Sequence, residues 1–270
     1  AAGVVAEDLV KAGTQKGCDN PTALWPSTSF LNLVQSGKRR ERDSLDLFAV
    51  KASMLPDADV YAAAERIDQR YAYRFFKRLF DITFSALVLV LLSGPMLLVA
   101  LAIKLDSPGP ALFRQERVSK GGRRFYIWKF RSMYQNAEKR LPELRKLNEK
   151  DGPVFKIKDD PRITRVGRFI RKTSIDELPQ FFNVLVGDIS VVGPRPALSS
   201  EVARYTERHQ QRLLVKGGIT CYWQTRRNRD YISFDDWVSL DLLYVKQCSS
   251  YVDFKLIFQT IGVVLTAQGN

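Results

Sequence analysis

LFDITFSALVLVLLSGPMLLVALAI, residues 79–103, is apolar apart from Asp81, Thr83, Ser85 and the triplet Ser93-Gly94-Pro95. As one straight helix it would measure ~37 Å, enough to cross the ~30 Å hydrocarbon core of a bilayer, so a single-span anchor is the default reading. Two features favour a re-entrant turn instead. Pro95 deletes a helix hydrogen bond and clashes with the preceding turn, and Gly94 permits a sharp bend. The limbs are then ~20 Å and ~13 Å long, each too short to cross. Cations also flank both ends: Arg70, Arg74, Lys77 and Arg78 before, and Lys104, Arg114, Arg117, Lys120, Arg123 and Arg124 after. Positive residues mark the cytoplasmic side, and both flanks claim it. The segment is therefore predicted to enter, bend at Ser93-Gly94-Pro95 and leave on one face, with a Pro-kinked span as the alternative.

Outward from this segment, the 270 residues suit one ordinary domain with appendages. Lys and Arg exceed Asp and Glu by 13, which calls for an anionic partner such as nucleic acid, anionic lipid or a phosphorylated substrate. No zinc, homeodomain or RNP-type pattern supports nucleic acid, and the apolar segment argues against it. Cys18, Cys221 and Cys248 form neither a disulfide framework nor a zinc pattern, so a reducing, cytosol-facing location is expected. With His209 as the one histidine, imidazole triads and multi-His metal sites are nearly excluded, and acid–base chemistry falls to carboxylate, Lys, Tyr or water. No signal peptide opens the chain and residue 1 is not Met, so the numbering is expected to begin inside a longer product. Residues 1–70 lack a sustained period and read as a loosely ordered arm with a short helix near 62–70.

Downstream, residues 111–113 and 124–130 with Gly121-Gly122 between them predict a β-hairpin. Residues 137–150 read as a polar helix, and Ser233 is the expected N-cap of a helix through Lys246. Residues 254–265 are apolar around most of a helix, which suits a buried core helix or one lying in the lipid interface.

The chemistry concentrates at Ser174-Ile175-Asp176-Glu177-Leu178-Pro179-Gln180. Ser174 with Glu177 three residues on is a capping-box pattern. Leu178, Phe181, Phe182, Leu185 and Val186 then repeat at helical spacing up to Gly187, so a helix is predicted to start at Ser174. Asp176 would lie in its first turn, where the helix dipole favours an ionised carboxylate, either as metal ligand or as oxygen nucleophile. Upstream, Asp159-Asp160-Pro161 is followed by Arg162, Arg165, Arg168 and Arg171, a positive strip leading toward the carboxylates or an ordinary solvated face. Val192-Gly193-Pro194-Arg195-Pro196 holds Arg195 between two prolines, and its planar fork suits a phosphate. An acid pair, a basic strip and a stiff Arg loop are the ingredients of phosphoryl transfer, which needs charge neutralisation and positioning.

These residues resemble the bacterial monotopic phosphoglycosyl transferases, the sugar transferases of exopolysaccharide and O-antigen synthesis. The resemblance covers about residues 74–266. It is carried in order by Lys77-Arg78-Leu79-Phe80-Asp81, Ser107-Pro108-Gly109-Pro110, Lys129-Phe130-Arg131-Ser132-Met133, Asp159-Asp160-Pro161-Arg162-Ile163-Thr164, Asp176-Glu177-Leu178-Pro179-Gln180, Val192-Gly193-Pro194-Arg195-Pro196 and Gly218-Ile219-Thr220. The resemblance implies an α+β, helix-dominated monotopic membrane protein on the cytoplasmic face of the bacterial inner membrane. Residues 71–105 would form the basic flank and re-entrant helix, and 106–270 a cytoplasmic catalytic domain with a short hairpin and interfacial helices. It implies a Mg2+-dependent transfer of a sugar-1-phosphate from a UDP-sugar to polyprenyl (undecaprenyl) phosphate, with anionic membrane lipid as surroundings and monomer or homodimer left open.

By the same resemblance Asp176 would be the nucleophile and Glu177 a metal ligand or proton carrier, the pair together holding the metal. Arg195 would clamp phosphate, with Arg171 or Arg168 as the alternative, and Lys129 and Arg131 would meet the diphosphate or lipid phosphate. Ser93 and Pro95 match the family's helix break, separated here by Gly94. The loop Gly217-Gly218-Ile219-Thr220-Cys221-Tyr222-Trp223-Gln224, followed by Arg226-Arg227-Asn228-Arg229, departs from the Pro-Gly-Ile-Thr-Gly of many relatives and leaves the sugar open. The competing class is a non-enzymatic, membrane-tethered protein that uses its basic surface to recruit a partner.

Overall fold

The structure, a computed structural model, describes residues 56–149, 151–157, 159–226 and 232–265. Helix α1 (Ala58–Gln69) leads into α2 (Tyr71–Leu91) and α3 (Ser93–Asp106), then a hairpin of β1 (Leu112–Val118) and β2 (Arg124–Phe130). After one helical turn, α4 (Leu141–Leu144), come α5 (Arg165–Lys172), α6 (Gln180–Val186) and β3 (Ser190–Val192). The short turns α7 (Ser199–Val202) and α8 (Glu207–Gln210) precede β4 (Gly218–Thr220), and α9 (Phe234–Gln247) and α10 (Ser250–Leu265) close the fold. β1 and β2 pair antiparallel from Leu112↔Phe130 to Val118↔Arg124, while β3 and β4 pair in parallel.

The hairpin forms where expected, with Phe125 and Ile127 buried on one face of β2, but β1 runs on to Val118, well past the expected 111–113. Helix α9 also starts where expected, the Ser233 hydroxyl accepting the Asp236 N–H. The polar helix expected over 137–150 is cut to α4 and a 3-10 turn at Arg145–Leu147. Pro142 accounts for this, since it lacks the N–H an interior position needs and is tolerated only in a first turn. Helix α1 is longer than the expected 62–70 and is not part of a loose arm. Val60 and Ala64 are buried in one core with Tyr205, Phe234, Val238 and Leu242. Residues 1–55 of the expected arm lie outside the described residues.

Helix α2 has two characters. One face of its first half packs on the protein core, opposite the exposed Phe75, Phe76, Leu79 and Ile82: Asp81 accepts from Ser190 Oγ (3.1 Å) and the Val191 N–H (3.0 Å), fixing β3. The Arg78 guanidinium donates to the carbonyls of Val184 and Leu185, both at 2.6 Å, closing the C-terminal end of α6. Gly187, at φ +91°, ends α6 in the left-handed conformation that a residue with a Cβ rarely adopts. Lys77 is 2.8 Å from Asp253, whose carboxylate also accepts from Tyr73 and Tyr244. Cations that mark sidedness in the sequence are thus also structural bolts.

Beyond Ser85 no residue of the helix is buried, and Leu87, Val90 and Leu91 are exposed. Helices α2 and α3 meet at a 61° bend. The break falls at Leu92, one residue ahead of the expected triplet, because Pro95 in the first turn of α3 leaves the preceding turn without its hydrogen bond. Ser93 Oγ instead donates to the Val90 carbonyl at 2.8 Å. Among the described residues no single helix is long and apolar enough to cross a membrane.

Candidate active site

Asn183 sets the site's frame. Its buried side-chain amide accepts the Trp128 N–H (2.9 Å) and donates to the Tyr126 carbonyl (2.7 Å), so α6 docks on β2 as another strand would. This brings the turn ahead of α6 to the open end of β2. There Lys129, two residues beyond Ile127 on the inward face, places Nζ 2.7 Å from Glu177 Oε1.

The turn itself differs from the expected capped helix. Ser174 stands at φ +58°, makes no side-chain cap, and Ile175–Glu177 is a 3-10 turn; the α-helix starts only at Gln180. Phe182 and Val186, expected on the buried face of this helix, are exposed, and Gln180, Asn183 and Val184 face inward. Asp176 therefore precedes the helix, and the dipole argument for its ionisation fails. Burial and neighbouring charge govern it instead. Asp176 is 9% exposed, and its carboxyl is pushed up to about 6 from 3.8, chiefly by burial. Glu177 adds to the rise, while Lys129, Arg171 and Arg195 oppose it. A left-handed non-glycine residue costs ~1–3 kcal/mol, and here it turns the acid pair into the pocket.

Arg195 arrives from the other side. β3 and β4 approach closely after Val192: the Gly193 N–H donates to the Thr220 carbonyl (2.9 Å), and a Cβ on Gly193 would lie 2.4 Å from the Lys216 carbonyl oxygen. Buried Pro194 and Pro196 then hold Arg195 over the Trp223 ring, 6.0 Å from its centroid. Lys129, Arg171, Arg195, Asp176 and Glu177, with Ser174, Trp223 and Gln224, line one pocket that opens to solvent. Three cations around two carboxylates suit the binding and transfer of a phosphoryl group.

The other cations named from sequence do not join them. Arg131 is buried and donates to the carbonyls of Ser107 (2.6 Å) and Pro108 (2.7 Å) and to Ser107 Oγ (3.0 Å). It bolts the exit of α3 to the hairpin and is a structural residue rather than a phosphate ligand. Arg131→Met should therefore lower stability by ~3 kcal/mol, measured by denaturant melting, through the carbonyls it strands. A turnover defect with unchanged melting would mean Arg131 meets substrate after all. Arg168 points outward from α5, whereas Arg171 lies in the last turn beside the acid pair. Arg162 precedes α5 and is buried in a forked pair with Asp160 (Nη2 to Oδ2, 2.6 Å; Nε to Oδ1, 2.9 Å), so the strip on the helix is Arg165, Arg168 and Arg171, of which Arg171 lines the pocket. Trp223 and Gln224 of the departing loop line the pocket; Arg227, Asn228 and Arg229 of that loop lie outside the described residues.

A profile of the bacterial sugar transferase family matches residues 72–267, and the chain belongs to that family. It is 44% identical over 203 residues to an undecaprenyl-phosphate galactose phosphotransferase of Salmonella typhimurium, covering 73% of this chain and 42% of that protein. It is 41% identical over 202 residues to a UDP-N-acetylgalactosamine-undecaprenyl-phosphate N-acetylgalactosaminephosphotransferase of Aeromonas hydrophila, covering 73% and 45%. To a UDP-glucose:undecaprenyl-phosphate glucose-1-phosphate transferase of Escherichia coli it is 40% identical over 196 residues, covering 70% and 40%. The chain thus spans less than half the length of these curated relatives.

Proposed function

We propose that this chain transfers a sugar-1-phosphate from a UDP-sugar to polyprenyl phosphate at a membrane surface, initiating assembly of an exopolysaccharide or related glycan. The observation that carries the proposal is the convergence of Asp176 and Glu177 with Lys129, Arg171 and Arg195 in one pocket. In the first half-reaction a carboxylate oxygen of Asp176 attacks the β-phosphorus of the UDP-sugar. The bond from that phosphorus to the bridging oxygen breaks, and UMP leaves with the electron pair. In the second, an oxygen of polyprenyl phosphate attacks the same phosphorus and frees the Asp176 carboxylate. The guanidinium and ammonium groups offset charge on the diphosphate and on the leaving phosphate.

The donor set also fits Mg2+. Among the described residues no group of three or more His, Cys, Asp and Glu converges on a point. Mg2+ characteristically takes one or two carboxylates, with waters and substrate phosphates completing its shell, and Asp176 and Glu177 are the carboxylates that would hold it. Bound there, it would reduce repulsion between carboxylate and diphosphate. The relatives' names divide among galactose, glucose and N-acetylgalactosamine, so the sugar is to be found by assay. Purified protein given Mg2+ and, in turn, UDP-glucose, UDP-galactose and UDP-N-acetylgalactosamine without lipid acceptor should release UMP from one of them. Silence toward the whole panel would favour the non-enzymatic tether.

Re-entrant membrane association is part of the same reading. Both limbs of the bent pair return to one body: Asp81 is fixed to β3, and Ile103 is buried with Phe130 and Ile170. Between these two anchors the limbs, residues 81–92 and 93–103, measure ~18 Å and ~16 Å, each short of a ~30 Å bilayer core. Helix α10 has two sides, with Leu256 and Ile257 in the core and Tyr251, Phe254, Phe258 and Ile261 exposed along the other. Such an apolar face suits the lipid interface on the cytoplasmic side of a bacterial inner membrane. Cysteines placed at Ala72 and Lys120 should both resist a periplasmic, membrane-impermeant thiol reagent; labelling at one alone would establish a span.

A further inference from the structure

Resting on the reading of Arg195 as the diphosphate clamp, we propose that Arg212 is its positioning residue, held for that task by the buried carboxylate of Asp241. Arg212 is 5% exposed and Asp241 fully buried, so neither is on the pocket wall. Arg212 Nη2 lies 2.6 Å from Asp241 Oδ2 and donates to the Arg195 carbonyl at 3.4 Å. That second contact is long and weak in isolation, but the carboxylate fixes where the nitrogen sits. Nη1 donates to the Tyr205 hydroxyl at 2.9 Å, fixing the plane of the fork. The preceding residue ties the bracket to α1: the Gln211 side chain accepts the Asp57 N–H (2.9 Å) and donates to the Asp57 carbonyl (2.7 Å).

The same helix supports the other end of Arg195. Trp237 and Asp241 are four apart on α9 and share a face. Trp237 stacks on Trp223, ring centroids 4.3 Å apart and planes 15° from parallel. Trp223 in turn lies beneath the Arg195 guanidinium. One face of α9 therefore holds the clamp's backbone through Arg212 and its side chain through Trp223. An ion pair this deep is costly to build and is no stability device when measured against apolar packing. Its geometry instead serves the stiff loop, where a displacement of ~1 Å at a reacting group can cost ~100-fold in rate.

A double-mutant cycle tests the proposal, with UMP release followed on whichever UDP-sugar of the panel the wild type uses. Arg212→Lys keeps the charge toward Asp241 but cannot hold Tyr205 and the Arg195 carbonyl at once. It should lower kcat/KM about 10-fold and raise KM about threefold or more, a parameter that a smaller folded fraction leaves unmoved. In an Arg195→Lys background the same change should cost less than about twofold, because the group it positions is already gone. Tyr205→Phe, a milder change, should show a smaller loss with the same dependence on Arg195. Equal losses in both backgrounds, or an unchanged KM in Arg212→Lys and Tyr205→Phe alike, would overturn the positioning role. Failure of the wild type to release UMP would overturn the functional reading, and the inference with it.

Discussion

Asp176→Asn is expected to lower UMP release by 10³-fold or more while leaving the protein at least as stable as the wild type. The asparagine keeps the size of the side chain but lacks the charged oxygen that attacks phosphorus. The stability sign follows from the raised acid constant. A carboxyl held at about 6 when folded and 3.8 when unfolded binds its proton more tightly in the folded protein. Its stabilising contribution is complete below 3.8 and is lost as pH rises through about 6. At pH 7 the ionised group costs roughly 3 kcal/mol, which Asn does not incur. Thermal melting without substrate should then show an unchanged or raised Tm. In the wild type, kcat/KM should be level at high pH and fall about tenfold per unit once Asp176 takes its proton, a limb that Mg2+ on the carboxylate would hold below the value of the metal-free protein. Glu177→Gln removes a neighbouring negative charge and should shift that limb to lower pH, beside whatever turnover it loses. A pH limb unmoved by this change would mean Asp176 is not the titrating group.

Arg195→Lys should lower kcat/KM for UMP release about 10²-fold, the scale of losing one preorganised donor to a developing oxyanion. The ammonium keeps the charge yet offers no planar fork for two phosphate oxygens, nor a flat group to lie over Trp223. Arg195 is half-buried at the pocket edge, so Tm should change little. Near-normal turnover would move the clamp to Arg171, the other arginine lining the pocket.

Local signals carried much of this architecture. The hairpin showed in its alternation and paired glycines, the α9 cap in Ser233, and the bend in Pro95. The sequence-named residues that converge in the pocket are the acid pair, a lysine near the end of β2, the last arginine of α5 and the arginine between prolines. What sequence hid is tertiary. Arg131 and Arg162 look identical to Arg171 and Arg195 until burial shows backbone carbonyls and Asp160 around them. The Ser174-x-x-Glu177 pattern fits a capping box, but a left-handed Ser174 and Pro179 delay the helix to Gln180. Asp241 did leave a trace, since it interrupts the apolar face of Val238, Leu242 and Val245, and a charge on such a face requires a buried partner. Its partner, Arg212, lies 29 positions earlier, beyond the reach of any periodicity.

The covalent route makes one demand that no other arrangement of these residues makes. Wild-type protein given its UDP-sugar and Mg2+ without acceptor, quenched and weighed intact, should gain the mass of one phosphosugar, and proteolysis should map it to the peptide carrying Asp176. Addition of polyprenyl phosphate should remove it. UMP release without any adduct, or an adduct on a peptide lacking Asp176, would contradict the assignment of Asp176 as nucleophile.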